Sequence, residues 1–144
     1  APVGTTAQRP TGQAGDFRYN STTGGFEGFT DEWGAIAGSG GGASETDTSV
    51  SSTSATSIFT TAHATNRSVS AIIQITQGSS YQVGRYLVIH DGTTATIIEE
   101  SAVATGDMLG SFTADINSTN LRILVNMNSA SSATVTILPT VVTV

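Results

Sequence analysis

From Ile58 to Val144, short runs rich in Val, Ile and Thr return at intervals of about a dozen residues, each closed by turn-forming residues. Helix signals are missing from this stretch. A chain with that rhythm folds as an antiparallel β-sandwich or barrel, because strands of this length need a second layer to bury their apolar sides. Seven strands are predicted: Thr56–Ala62, Arg67–Gln77, Gln82–His90, Thr94–Glu100, Leu109–Ile116, Leu121–Met127 and Thr134–Val144.

Side chains alternate between the two faces of a strand. Val69, Ala71, Ile73 and Ile75 are therefore expected to face a core, with Ser70, Ile72, Gln74 and Thr76 on the other side. In the run LRILVNM, Leu121, Ile123, Val125 and Met127 point inward and Arg122, Leu124 and Asn126 mostly outward. QGSS at Gln77 to Ser80, Asp91-Gly92 and ATGD at Ala104 to Asp107 supply turns, and Asp-Gly between apolar runs is a strong hairpin signal. Pro139 has no N–H to give a ladder, so the last strand is expected at a sheet edge or at a bulge. An unprotected edge of such residues invites association, which hints at oligomerisation.

Composition narrows the function. Charged residues are 11% of the chain, and 18 Ser, 24 Thr and 16 Gly take their place, so the surface is expected to be hydroxyl-rich. With no lysine, five arginines and eleven acids the net charge is -6, which lacks the basic footprint of a nucleic-acid binder. Without cysteine there is no disulfide or thiolate ligand. No apolar run approaches the roughly 18 residues of a membrane span, and no signal peptide is visible. The opening APVG, with no initiating Met, is expected to be an end left by processing or cutting.

Three zones follow. Residues 1–38 hold five of the nine aromatics and the only tryptophan. Residues 39–57, SGGGASETDTSVSSTSATS, are poor in large apolar residues and read as a Gly/Ser/Thr-rich linker or a weakly structured strand edge. Residues 58–144 are the sandwich, of jelly-roll or immunoglobulin-like type. Within the first zone, Phe17 and Tyr19 share a strand face, Ser21 to Gly24 turns the chain, and Phe26, Phe29 and Trp33 return. A lone hairpin is marginal in water, so these aromatics need a surface to pack on. Arg18 and Glu27 fall opposite each other and are expected to pair across the hairpin, a contact worth about 0.2–1 kcal/mol if exposed.

No catalytic constellation emerges. His63 and His90, with Asp91, offer too few ligands for zinc, and His90-Asp91 reads as the end of a strand. Glu99 and Glu100 are adjacent in a strand, so they point to opposite faces and cannot serve as a glycosidase pair. No G-x-S-x-G elbow occurs, and the tract Gly38 to Gly42 is not followed by the Lys and Ser/Thr of a P-loop. Sequons at Asn20, Asn66 and Asn117 matter only in a eukaryotic secretory path. The expectation is a non-enzyme without cofactor or metal.

The segment from Arg9 to Gly38, RPTGQAGDFRYNSTTGGFEGFTDEWGAIAG, resembles a motif of bacteriophage tail-fibre and related virion proteins, especially of marine phages. The elements are Arg9-Pro10, Gly15, Arg18 to Asn20, Glu27 to Phe29, and Trp33 with Ile36. The resemblance implies a trimeric fibre or spike protein of the virion, with Phe17, Arg18, Tyr19, Phe26, Glu27, Phe29, Trp33 and Ile36 at the assembly interface. Host attachment would bring exposed aromatics such as Tyr81 and Tyr86 against cell-surface glycans. Decoration of a capsid or tail lattice is the second expectation. A cellular carbohydrate-binding module or extracellular filament subunit is a third, which leaves the motif unexplained.

Overall fold

The computed structural model describes residues 2–36 and 44–144. The chain divides into two compact units, Ala1–Gly42 and Ala43–Val144.

The second unit is an antiparallel β-sandwich of eight strands among the described residues: β5 (Thr46–Val50), β6 (Thr56–Ala62), β7 (Asn66–Gln77), β8 (Ser80–His90), β9 (Ala95–Ala104), β10 (Gly110–Asn117), β11 (Asn120–Met127) and β12 (Ala133–Thr143). A five-stranded sheet in the order β5-β12-β7-β8-β9 faces a three-stranded sheet in the order β10-β11-β6. (The labels β1 to β4 belong to the first unit: β1 Val3–Gly4, β2 Phe17–Asn20, β3 Gly25–Phe29, β4 Trp33–Ala35.) All seven predicted strands are present, within a few residues of their expected ends.

Between the sheets lie Val69, Ala71, Ile73 and Ile75 of β7, Val135 and Ile137 of β12, and Leu121, Ile123, Val125 and Met127 of β11, all buried. Each of these side chains other than Ala71 contributes about 1.5–3 kcal/mol relative to an exposed one, which makes this layer the main source of stability. Leu124 departs from the outward assignment and is also buried. The register between β11 and β6 shifts between Ile123 and Leu124, with Ile58 the extra residue on β6, while β11 itself keeps its alternation.

The eighth strand, β5, lies at the edge of its sheet, so within residues 39–57 the strand-edge reading holds at Thr46–Val50 in place of a linker. It pairs with β12 from Val50↔Ala133 to Ile137↔Thr46, and the Thr136 hydroxyl donates to the Asp47 carboxylate at 2.6 Å. An edge strand needs few large inward residues, and here Val50 is the one that is buried. The remainder of the linker reading at residues 39–43 lies outside the described residues.

The turns use the expected chemistry. Gly78, first of the two residues joining β7 to β8, has φ 60°, and Gly92 in the β8–β9 turn has φ 94°, both in the region glycine enters without steric cost. Asp91 Oδ1 accepts the Thr93 and Thr94 N–H groups at 2.9 and 2.7 Å. Those bonds hold its carboxyl below the usual aspartate range. Pro139 stands where β12 has run past its pairing with β5 and keeps β7 alone, an edge position as its missing N–H requires.

The first unit is a four-stranded sheet in the order β1-β2-β3-β4. Its centre is the expected hairpin, with Tyr19 opposite Phe26 and Arg18 opposite Glu27. The chain before it adds β1, parallel to β2, and a short 3₁₀ turn at Thr6–Gln8.

Candidate functional site

The hairpin of the first unit turns its polar residues inward. Arg18, Asn20 and Glu27 are all buried, Glu27 to 3% exposure. Residues 4–12 cross over them. Arg18 Nη1 donates to the Thr5 carbonyl at 3.2 Å, and Asn20 Nδ2 donates to Thr6 Oγ1 at 2.9 Å. The chain passes so close at Gly12 that a Cβ there would overlap the Phe29 ring.

Everything converges on the Glu27 carboxylate. Arg9 reaches it with Nη2 at 2.7 Å and Nε at 3.2 Å, Arg18 Nη1 at 3.3 Å, and Asn20 Nδ2 at 2.9 Å. The Arg9 hydrogen bond holds the Glu27 carboxyl below the usual glutamate range against the opposing effect of burial, with Asn20 adding to the same direction. The same contact raises Arg9. Trp33 closes the layer: its indole N–H donates to the Pro10 carbonyl at 3.1 Å, its ring meets Phe29 edge-on at 5.5 Å, and the Arg18 guanidinium lies 5.9 Å from it.

The residues expected at an assembly interface therefore separate into two sets. Arg18 and Glu27 pair as expected, but they are interior and bind the unit together, which takes both out of the expected interface set. Phe29 and Trp33 are half-buried against the overlying segment. On the opposite face Phe17, Phe26 and Ile36 are each more than half exposed, Phe17 to 57%, and Tyr19 packs edge-on to Phe26 at 5.3 Å. The reason is register: Phe17, Tyr19 and Phe26 share the face that residues 4–12 do not cover. Arg9 and Asn20, which composition did not single out as site residues, complete the carboxylate cluster.

On the sandwich, the two tyrosines part company. Tyr81 is 47% exposed beside Gln74, Val83 and Thr105. Tyr86 is 2% exposed, so its expected receptor contact is corrected: the ring meets Phe112 edge-on at 4.9 Å and the hydroxyl donates to Glu99 Oε1 at 3.0 Å. Burial, then the Glu99 bond, pushes the Tyr86 phenol well above its ordinary range. Strand β8 alternates in an unexpected phase, with Gln82, Tyr86, Val88 and His90 buried while Leu87 and Ile89 are exposed. Gln82 is accommodated because its carboxamide donates to the Gly110 carbonyl at 3.0 Å and accepts from the Leu109 N–H at 2.6 Å.

His90 is equally engaged: Nδ1 accepts the Gly92 N–H at 2.9 Å and Nε2 lies 2.5 Å from the Asn66 carbonyl, which makes Nε2 the protonated nitrogen. Both nitrogens thus hold backbone, although His63 stacks edge-on at 5.7 Å. Among the described residues no group of three or more His, Cys, Asp or Glu is placed to share a metal ion. Glu99 faces Tyr86, while Glu100 is the extra residue of a bulge opposite Arg85. Of the sequon residues, Asn20 is interior and Asn66 donates to Thr61 Oγ1 at 2.7 Å, whereas Asn117 is exposed.

No protein-family model matches the chain, and no curated protein matches it in sequence. Among solved structures, the tailspike protein of Acinetobacter phage vB_ApiP_P1 is similar over 69% of this chain and 22% of its own, at 19% identity and a TM-score of 0.48. The tailspike protein of Acinetobacter baumannii phage AM24 is similar over 67% of this chain and 26% of its own, at 9% identity and a TM-score of 0.34. The chain spans about a quarter of the length of either protein.

Proposed function

We propose that this chain is a non-enzymatic structural protein of a phage virion, of tail-fibre or spike type, assembling as a trimer and contributing to host attachment. The observation that carries the reading is the way the tail-fibre-like motif is used. Arg9, Arg18, Asn20 and Glu27 form one closed hydrogen-bonded cluster, Pro10 receives the Trp33 indole N–H, and Gly15 has φ 99°. The motif is thus the skeleton of a self-contained small module rather than a set of scattered coincidences.

That module shows Phe17, Phe26 and Ile36 to the outside, the kind of apolar cluster that an assembly contact covers. Tyr81, exposed at one end of the sandwich, offers a ring for stacking against a sugar. Cryo-electron microscopy of the particle that carries this chain tests the reading. Threefold copies at a fibre or tail tip are expected. Copies spread regularly over a shell or tube would overturn attachment and favour lattice reinforcement.

A further inference from the structure

One end of the sandwich is fastened by its two histidines. His90, the last residue of β8, is 5% exposed and holds backbone on both sides: Nε2 donates to the carbonyl of Asn66, the first residue of β7, at 2.5 Å, and Nδ1 accepts the Gly92 N–H at 2.9 Å. His63, in the β6–β7 turn, stands edge-on to that ring at 5.7 Å. Its Nε2 lies 3.2 Å from the Ser118 carbonyl, and its own N–H donates to the Thr119 carbonyl at 3.1 Å. Ser118 has φ 54°, a conformation that residues other than glycine seldom enter. The pair thus ties together the β6–β7, β8–β9 and β10–β11 turns, and with them the two sheets.

Proton count decides what this arrangement tolerates. A carbonyl only accepts, so Nε2 carries the proton on both rings, and the other nitrogen of His90 is an acceptor already in use. A second proton on His90 sets Nδ1–H against the Gly92 N–H, two donors face to face, and the bond that steadies the β8–β9 turn is lost.

The surrounding charges weigh mostly the same way. Arg67 of β7 donates from Nη1 to the His90 carbonyl at 3.1 Å, and His63 gains its own charge over the same range of pH. The neighbouring acid, Asp91, favours a charged ring, but its Oδ1 is committed to the N–H groups of Thr93 and Thr94. Residues 117–120 of the β10–β11 turn carry no charge, and neither does Ala95, which lies opposite His90 on β9.

We infer that His63 and His90 form an acid-released clasp, closed while both rings are neutral and opening first at the Asp91–Thr94 turn when His90 takes a second proton. The sign follows from linkage. An opened turn exposes an ordinary imidazole, which binds protons below about pH 6.5, whereas the closed clasp excludes them, so the clasp is complete above that pH and weakens as the pH falls below it. The device is confined to this end of the sandwich. At the other end Gln82 bonds Gly110 and Leu109 through a carboxamide, which does not titrate.

Amide hydrogen exchange of the full chain, read residue by residue by NMR between about pH 7.5 and about pH 5.0, tests it. Protection of Gly92, corrected for the intrinsic exchange rate at each pH, is expected to fall about 10-fold, while that of Gly110 stays level. His90→Gln, which offers one acceptor and one donor but takes no proton, should remove the response. Gly92 protection that stays level down to about pH 5.0 would overturn the clasp. So would a response that survives in His90→Gln, or one that begins only below about pH 4.5, where carboxylates such as Asp91 titrate. Should His90→Gln lose its β signal by circular dichroism, the His90 Cε1–H resonance of the unaltered protein decides: loss of Gly92 protection must track the titration of that ring, and loss without it overturns the inference.

Discussion

The two units solve the same problem in opposite ways. In the sandwich, aliphatic side chains such as Ile73, Ile123 and Val135 fill the interior. In the small N-terminal unit the enclosed layer is built on Arg18, Asn20 and Glu27, with Phe17 and Phe26 left on the outside. The difference follows from size. A short chain closes too little volume for an apolar core, and a fully satisfied polar cluster can instead select one arrangement of strands and overlying segment. No side-chain nitrogen or oxygen buried among the described residues lacks a partner, so the charged interior is complete.

This contrast can be broken experimentally, and the largest effect belongs to the sandwich. Ile123→Ala removes a fully buried side chain and should cost about 2–5 kcal/mol, read as a lower midpoint of urea unfolding. A change under 1 kcal/mol would mean that the sheets can collapse onto the space left. In the N-terminal unit, Glu27→Gln leaves Arg9 and Arg18 without their shared anion. Trp33, the only tryptophan, reports on this unit, and its emission should move to the red as the overlying segment loosens. An unchanged spectrum would show that the charge is dispensable.

Acid sharpens the same comparison. Because Arg9 holds the Glu27 carboxyl below its usual range, the stability this group contributes is complete above the ordinary glutamate pKa and is lost as the pH falls through the lowered value. Trp33 emission should therefore stay constant from neutrality to about pH 5 and shift only below the ordinary carboxylate range. A transition centred at a higher pH would point to a different titrating group. In the sandwich, Arg122 likewise lowers Asp115 through a 2.6 Å contact, but with its side chain 43% exposed that pair is screened and should matter little. An effect smaller than that of Ile123→Ala is expected of Tyr86→Phe, which removes the bond to Glu99 and should cost about 1 kcal/mol in the same unfolding measurement.

Legibility in the sequence followed the same division. Strands β6 to β12 could be read because their apolar residues recur with period two between turn residues, and the alternation in β7 holds side chain by side chain. In β8 that rule loses its power, since Leu87, Val88 and Ile89 are apolar in succession and nothing local says which faces inward. Tyr86 is interior because its register opposite Ala71 places it over the core. The strand β5 could not be told from a linker for a related reason, as its stability comes from β12, distant in the chain.

By itself, then, the sequence determined the class of fold, the positions of strands β6 to β12 and their turns, and the hairpin with Arg18 opposite Glu27. Period-two patterning and glycine at left-handed turns are local properties, carried by neighbouring residues. Only the tertiary structure decided which side of each strand is covered. Whether Glu27 is a surface charge or the centre of an interior cluster depends on residues 4–12 folding back over it, and whether Ile98 is core or surface depends on which face of its sheet meets β10, β11 and β6. Burial is a property of what lies across from a residue, and that is set by the packing of distant segments.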